Sequence, residues 1–155
     1  MVSDGDAMTS LAIKDLEDAL LGALEAGLGR TLKTLKSFRG NWREELRQGG
    51  LRLPAVLVML TGSRAEQVGV SSCDLVVDFS LLAMVRQWRG EEAGRREEGG
   101  VYDLLTGIRE ALWHRDLGLN ILPLALVREE PLLHTREFCV HAAHYRTVLV
   151  QDLAG

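Results

Sequence analysis

The chain has 155 residues, of which 46% are hydrophobic, so it is long enough for one domain with a buried core. Its formal charge of −4 argues against a nucleic-acid-binding domain, which usually presents a clustered basic face. No apolar run approaches the about 20 residues that cross a bilayer, and the acidic, polar start does not resemble a signal peptide, so we expect a soluble domain without a membrane partner.

The N-terminal part predicts a flexible tail and then an amphipathic helix. Residues 1–9 carry no pattern, so a single α+β domain is expected to cover residues 10–155. From Ser10, which is a suitable N-cap, leucines recur on one stripe as far as Leu28, where glycines favour the end of a helix.

Two strands and a short helical segment follow. Residues 31–38 are rich in threonine and predict a strand, and the two lysines within it indicate a position at the edge of a sheet. Residues 42–48 predict one or two helical turns. Residues 55–61 form a continuous apolar run after a proline, which is typical of a strand covered on both faces.

The longest strand is predicted for residues 73–89. The polar residues 62–72 before it indicate a turn or the tip of a long hairpin. One face of the strand is apolar throughout, whereas the other becomes apolar only near Leu82, Met84 and Trp88. Because most strands have about 5–6 residues, we expect something other than the subunit's own core to cover this far end.

The C-terminal part predicts a charged loop, a second helix and two strands. Residues 90–100 are charged and bracketed by glycines, and residues 101–112 have the spacing of an amphipathic helix. Residues 122–128 predict a strand, residues 129–131 a break, and residues 138–150 the last strand.

Together these segments predict an α+β fold in the order α-β-(α)-β-β-α-β-β. Strands joined by hairpins, with two main helices packed on one face, indicate a mixed or antiparallel sheet of about 4–5 strands. The sequence contains no internal repeat and no low-complexity segment.

Histidines near the C-terminus form the one group of residues with a spacing that a metal site could use. His141 and His144, with His134 nearby, would share a face on a helix. Their neighbours predict a strand instead, and residues three apart on a strand point to opposite faces. We therefore expect no metal and no other cofactor. A metal-dependent hydrolase that uses His141 and His144 is the less favoured alternative.

The other residue types that carry catalysis also lack a suitable context. Cys73 and Cys139 lie in predicted strands, which favours buried thiols over a disulfide or a metal pair. Neither has a basic neighbour that would activate its thiol. The sequence has no nucleophile elbow and no glycine-rich phosphate loop. We expect no catalytic residues and no enzyme activity.

A candidate subunit interface lies around the end of the longest predicted strand. Trp and Arg are enriched in interface hot spots, although Trp88 could equally cap the subunit's own core and the loop arginines could simply be solvated. We expect Trp88→Asp to leave a folded monomer and abolish an oligomer. The candidate residues are Leu82, Met84, Arg86, Trp88, Arg89, Arg95 and Arg96.

Two segments carry a family resemblance. One is LRLPAVLV at residues 51–58, between an amphipathic helix and a long strand that ends in basic residues. The other is RGEEA at residues 89–93 followed by GGVYDLLTGIREAL at residues 99–112. Over residues 11–150 the chain resembles a family of small tail-assembly proteins of Mu-like phages and prophages. The histidine cluster at residues 134–144 matches no part of that pattern.

The resemblance implies a structural role without catalytic residues. The order of elements is similar to that of tail terminator proteins, α+β subunits that close into six-fold rings and end the tail tube and sheath. The implied partners are further copies of the chain, the tube or sheath protein, and a neck or connector protein; DNA could pass through the ring without sequence-specific binding. The implied location is the tail of a virion or a tail-like particle, assembled in the host bacterial cytoplasm. The alternative is another connector or tube-completion adaptor that binds a single partner.

Overall fold

The structure is a computed structural model, and the residues it describes are 4–67, 69, 72–87, 95–96 and 100–152. Among them, three helices and five strands alternate in the predicted order. The α+β class is therefore confirmed. The helices are α1 (Asp4–Leu28), α2 (Trp42–Arg47) and α3 (Val101–Leu112). The strands are β1 (Thr34–Ser37), β2 (Ala55–Gln67), β3 (Ser72–Arg86), β4 (Ala125–His134) and β5 (Phe138–Asp152).

The five strands form one mixed sheet in the order β1-β2-β3-β5-β4. β1 runs parallel to β2, with Thr34 opposite Ala55, and the other neighbouring strands are antiparallel. The two longest strands, β3 and β5, pair with each other along their whole length at the centre. β1 lies at one edge, as its lysines predicted.

The two long helices pack together on one face of the sheet. Their apolar stripes meet inward-facing side chains such as Val77, Phe79 and Tyr145 in a single buried cluster. The helices approach each other closely at Gly107, because a Cβ at this position would lie 2.4 Å from Cδ2 of Leu28. The prediction that two main helices cover one face is confirmed.

The opposite face carries a second, smaller core that includes α2. The side chain of Asn41 caps this helix by accepting a hydrogen bond from the backbone N–H of Glu44 at 3.2 Å. Leu46 of α2 lies in the same buried cluster as Leu82 and Met84, which are 3% and 0% exposed. The chain itself therefore covers these two residues, and the expectation that something outside the subunit's core covers them is wrong. Their positions in the sequence did not reveal where the short helix docks.

Several helix and strand boundaries differ from the predictions. α1 begins at Asp4, so Ser10 lies inside the helix rather than at its N-cap, and the helix includes part of the predicted tail. β2 continues to Gln67 because its polar second half pairs with β3. β3 ends at Arg86, and residues 88–94 lie outside the described part of the chain.

Strand β4 passes through the segment that was predicted to be a break. It begins at Ala125 and continues through Pro131 to His134. β4 lies at an edge of the sheet, where a proline can be accommodated because one side of the backbone has no partner among the described strands. The pairing register shifts between Pro131 and Leu133, which absorbs the irregularity.

No helix in the described part of the chain combines the length and the apolar character that a bilayer crossing requires.

Of the predicted charged loop at residues 90–100, the described residues are Arg95, Arg96 and Gly100. The prediction for the rest of the loop lies outside the described residues.

Candidate functional site

The histidines of β5 point to opposite faces of the sheet, as their spacing on a strand predicted. The His141 ring contacts the rings of His134 and Tyr102, at centroid distances of 5.2 and 6.1 Å. His144 instead contacts Ser80 and Glu130. Because the two side chains lie on different faces, His141 and His144 cannot bind one metal ion, and the hydrolase alternative built on that pair is wrong.

His144 of β5 forms a polar cluster with residues from the two neighbouring strands. Its Nδ1 lies 2.6 Å from Oγ of Ser80 on β3, and its Nε2 lies 2.5 Å from Oε2 of Glu130 on β4. Both contacts are satisfied when the Ser80 hydroxyl donates to Nδ1 and the Nε2–H donates to Glu130. The hydrogen bond from His144 holds the pKa of the Glu130 carboxyl below its usual range; desolvation opposes this effect, and Arg128 adds to it from 2.9 Å.

The Ser80, His144 and Glu130 side chains have the residue types of a catalytic triad, but their burial does not suit catalysis. A nucleophilic serine must be reachable by its substrate. Ser80 is only 4% exposed and lies on the central strand β3, which has partners on both sides. The cluster instead satisfies a buried hydroxyl and links three strands through side chains.

A second cluster on the other face contains His134, Cys139 and His141. Cys139 and His141 are two residues apart on β5 and share a face, and His134 is the register partner of Cys139 across the β4–β5 hairpin. One potential ligand atom from each residue lies within 4.8 Å of the others, and Sγ of Cys139 is 3.9 Å from Nδ1 of His134. This is a group of imidazole and thiol donors that could hold a transition metal.

The environment of His141 distinguishes this cluster from surface histidines. His141 is 8% exposed, and its Nε2 is buried without a hydrogen-bond partner among the described residues. Burial lowers the pKa of His141, and the nearby His134 and Arg95 lower it further. The imidazole is thus favoured in its neutral form, which is the form that binds metals.

Sequence reasoning considered His134 only as a neighbour and did not connect it with Cys139. The connection depends on the hairpin register, because the two residues are five apart in sequence but directly opposite in the sheet. A usable signal was present in the H-x4-C-x-H spacing, read together with two strands and a short turn.

The two cysteines lie far apart in the sheet and do not form a disulfide. Cys139 is opposite Val85 near one end of β3, whereas Cys73 is opposite Gln151 at the other end. Cys139 is buried, as predicted, and Cys73 is half-buried.

The predicted interface residues divide into buried, exposed and undescribed positions. Leu82 and Met84 are buried within the subunit, so they are not available on its surface. Arg86 is exposed, and its guanidinium lies 5.3 Å from the centre of the Phe138 ring. Trp88 and Arg89 lie outside the described residues. Arg95 is half-buried and Arg96 is exposed. An interface role for the exposed arginines remains a prediction.

The second half of β2, away from the β4–β5 turn, forms a sheet extension that is exposed to solvent. Residues 60–67 of β2 are all exposed, and they pair with β3 on one side. β1 pairs with β2 only over residues 55–58, so no described strand covers the outer edge of β2 beyond that point. Two ion pairs of Asp78 on β3 link β2 to β5 in this region. Its carboxylate lies 3.7 Å from the Arg64 guanidinium of β2 and 2.7 Å from that of Arg146 on β5.

Comparison with known protein families gave a match over most of the chain. The family described as "Bacteriophage Mu, Gp37" matches residues 12–148. No curated protein matches the chain. The matched range includes both histidine clusters and the sheet extension. The family match indicates a phage structural protein.

Proposed function

This chain belongs to the bacteriophage Mu Gp37 family, and from that premise we propose that it is a structural subunit of a contractile phage tail. In this proposal, copies of the chain form a terminator or collar ring. The ring ends the tail tube and sheath and joins them to the neck. The chain has no catalytic task in this role, and a tail-like particle without a head would use the ring in the same way.

The observation that carries the proposal is the exposed sheet extension formed by residues 60–67 of β2. A strand edge with free backbone N–H and C=O groups readily pairs with another chain. Residues 59–67 of β2 offer such an edge, and only the first part of β2 is covered by β1. Leu60 lies at the base of this edge and is 39% exposed, which adds an apolar contact to the backbone groups.

A closed ring also needs a second, different surface on each subunit, because a cyclic contact joins unlike patches of neighbouring copies. The opposite edge of the sheet is formed by β4, which presents Val127 at 52% exposure beside the charged pair of Arg128 and Glu130. We propose that the β2 extension of one subunit contacts the β4 side of the next. The tube or sheath protein and the neck protein would then bind the two flat sides of the ring.

The test is the oligomeric state of matched variants at Leu60. Leu60→Lys places a charge at the proposed contact without touching either buried core, whereas Leu60→Met keeps the contact apolar. We expect native mass spectrometry to give a hexamer for the wild type and for Leu60→Met, and a folded monomer for Leu60→Lys. Negative-stain images of the first two should show rings.

Two results would count against this proposal. A hexamer that survives Leu60→Lys would move the interface away from β2, and Arg86→Glu would then test the other predicted surface. A wild type that stays monomeric, even with purified tail tubes present, would contradict ring formation and favour a connector or tube-completion adaptor that binds one partner.

A further inference from the structure

The hairpin formed by β4 and β5 carries three potential metal ligands that the proposed tail role does not use. We propose that His134, Cys139 and His141 bind a divalent transition-metal ion, and that this ion is Zn²⁺. The inference is independent of ring formation, because all three ligands come from one subunit and one hairpin.

The geometry of the hairpin brings the three donors to one point. His134 and Cys139 face each other across the strand pair, and His141 follows Cys139 on the same face of β5. Their ligand atoms lie within 4.8 Å of one another. Tetrahedral zinc, with bonds of about 2.0–2.3 Å, places neighbouring ligand atoms about 3.3–3.7 Å apart. Small side-chain rotations therefore suffice to close the site.

The state of His141 supports a ligand at this position. A polar atom that is buried without a partner is unfavourable, and native proteins rarely leave one. His141 is 8% exposed, its ring packs against that of His134, and its Nε2 is buried with no hydrogen-bond partner in the described part of the chain. A bound metal ion would orient the ring, and one ring nitrogen would be its ligand.

The donor types select the ion. Two imidazoles and one thiolate favour Zn²⁺ over Mg²⁺ and Ca²⁺, which prefer oxygen ligands. The positive charge of Arg95 acts on His141 and opposes a cation, but the thiolate of Cys139 would offset that charge. Three protein ligands leave the fourth tetrahedral position to water.

A bound ion would add to contacts that already hold the hairpin. Gln87 of the segment after β3 already holds the hairpin turn, because its side-chain N–H groups donate to the carbonyls of Thr135 and Phe138 and its backbone N–H donates to Glu137. A bound ion would join the two strands just inside this turn. Tyr102 of α3 contacts His141, so the ion would also fix the hairpin against the helix.

Cobalt substitution of the full chain, purified without a histidine tag, tests the site directly. Co²⁺ bound to a thiolate gives a charge-transfer absorption in the near ultraviolet that imidazole or water ligands do not give. We expect the wild type to show this band, to lose it when Zn²⁺ is added, and to retain one equivalent of zinc by elemental analysis after gel filtration.

Matched variants decide whether the proposed ligands are responsible. Cys139→Ser should abolish the band and His134→Ala should weaken zinc binding at least tenfold, whereas Cys73→Ser and His114→Ala should behave as the wild type. Circular dichroism verifies folding, and His134→Ala decides the result if the buried Cys139→Ser variant does not fold. Absence of the band in the wild type, or equal loss in Cys73→Ser, would overturn the site. Neither result depends on whether the chain forms rings.

Discussion

Arg109 of α3 donates from a single nitrogen, Nη1, to both carboxylate oxygens of Glu129 on β4, at 2.7 and 2.9 Å. A second guanidinium nitrogen, Nη2, donates to Oγ1 of Thr106 one turn earlier in the helix at 3.1 Å. The side chains of Arg109 and Glu129 are 33% and 22% exposed, so solvent screens them only in part. The pair fixes the second long helix to the edge strand that carries His134.

Replacing Arg109 should therefore destabilise the subunit measurably. We expect Arg109→Ala to lower the free energy of unfolding by about 1–2 kcal/mol, between the values of an exposed ion pair and of a buried charged hydrogen bond. Urea unfolding monitored by circular dichroism gives this value. Arg47→Ala is the matched control, because Arg47 pairs with Glu44 at 2.5 Å on an exposed surface and should change stability little. Equal losses in both variants would contradict a special role for the Arg109 pair.

Two helical glycines should respond oppositely to the same substitution. A Cβ at Gly107 would lie 2.4 Å from Cδ2 and 3.0 Å from Cγ of the buried Leu28, whereas a Cβ at Gly22 would meet nothing within 4 Å. Alanine raises helix propensity by about 1 kcal/mol at either site, but overpacking costs about 1–3 kcal/mol. We expect Gly22→Ala to stabilise the protein and Gly107→Ala to destabilise it. Thermal unfolding of both variants checks the prediction, and stabilisation by Gly107→Ala would show that the helices can separate at low cost.

The sequence was most informative where one periodicity dominated. Strand-forming residue types along residues 138–150 predicted β5, and the spacing of His141 and His144 on a strand then predicted their opposite orientations. The leucine stripes predicted both long helices. These features depend on local geometry alone, since the strand repeat is two residues and the helix repeat is 3.6.

The features that sequence reasoning missed depend on contacts between distant segments. Burial of Leu82 and Met84 depends on where α2 packs, and a six-residue helix with one buried leucine carries little information about its docking site. The proline in β4 indicated a break, but the edge position of the strand accommodates it. The pairing of His134 with Cys139 required the hairpin register.

Removal of the Tyr145 hydroxyl should not destabilise the protein. Tyr145 is 1% exposed and stacks on Phe79 at 5.8 Å, and its hydroxyl oxygen has no hydrogen-bond partner among the described residues. Removing a buried polar group without a partner relieves a cost of about 1–3 kcal/mol, so Tyr145→Phe should be neutral or stabilising at pH 7 in urea unfolding.

Tyr145 should also lower the free energy of unfolding at alkaline pH. Burial raises the pKa of Tyr145 above its ordinary value of 10.0. The folded state therefore holds the proton more tightly than the unfolded state, and this contribution is complete below pH 10 and lost as the pH rises above it. We expect unfolding free energies measured between pH 9 and about pH 11 to fall less steeply for Tyr145→Phe than for the wild type. Identical slopes would show that Tyr145 does not determine alkaline stability.

The cluster of Ser80, Glu130 and His144 predicts a loss of stability at acid pH, because its titrating group is the Glu130 carboxyl. The hydrogen bond from His144 lowers the pKa of Glu130 in the folded state below the ordinary 4.5. The stabilisation is thus complete above pH 4.5 and is lost as the pH falls through the lowered folded value. Glu130→Gln should flatten this acid limb of the stability curve. His144→Gln should flatten it more than Arg128→Ala does, because the histidine is the largest cause of the shift. If Arg128→Ala has the larger effect, Glu130 is held mainly by the neighbouring charge, and the link between β4 and β5 through His144 contributes little.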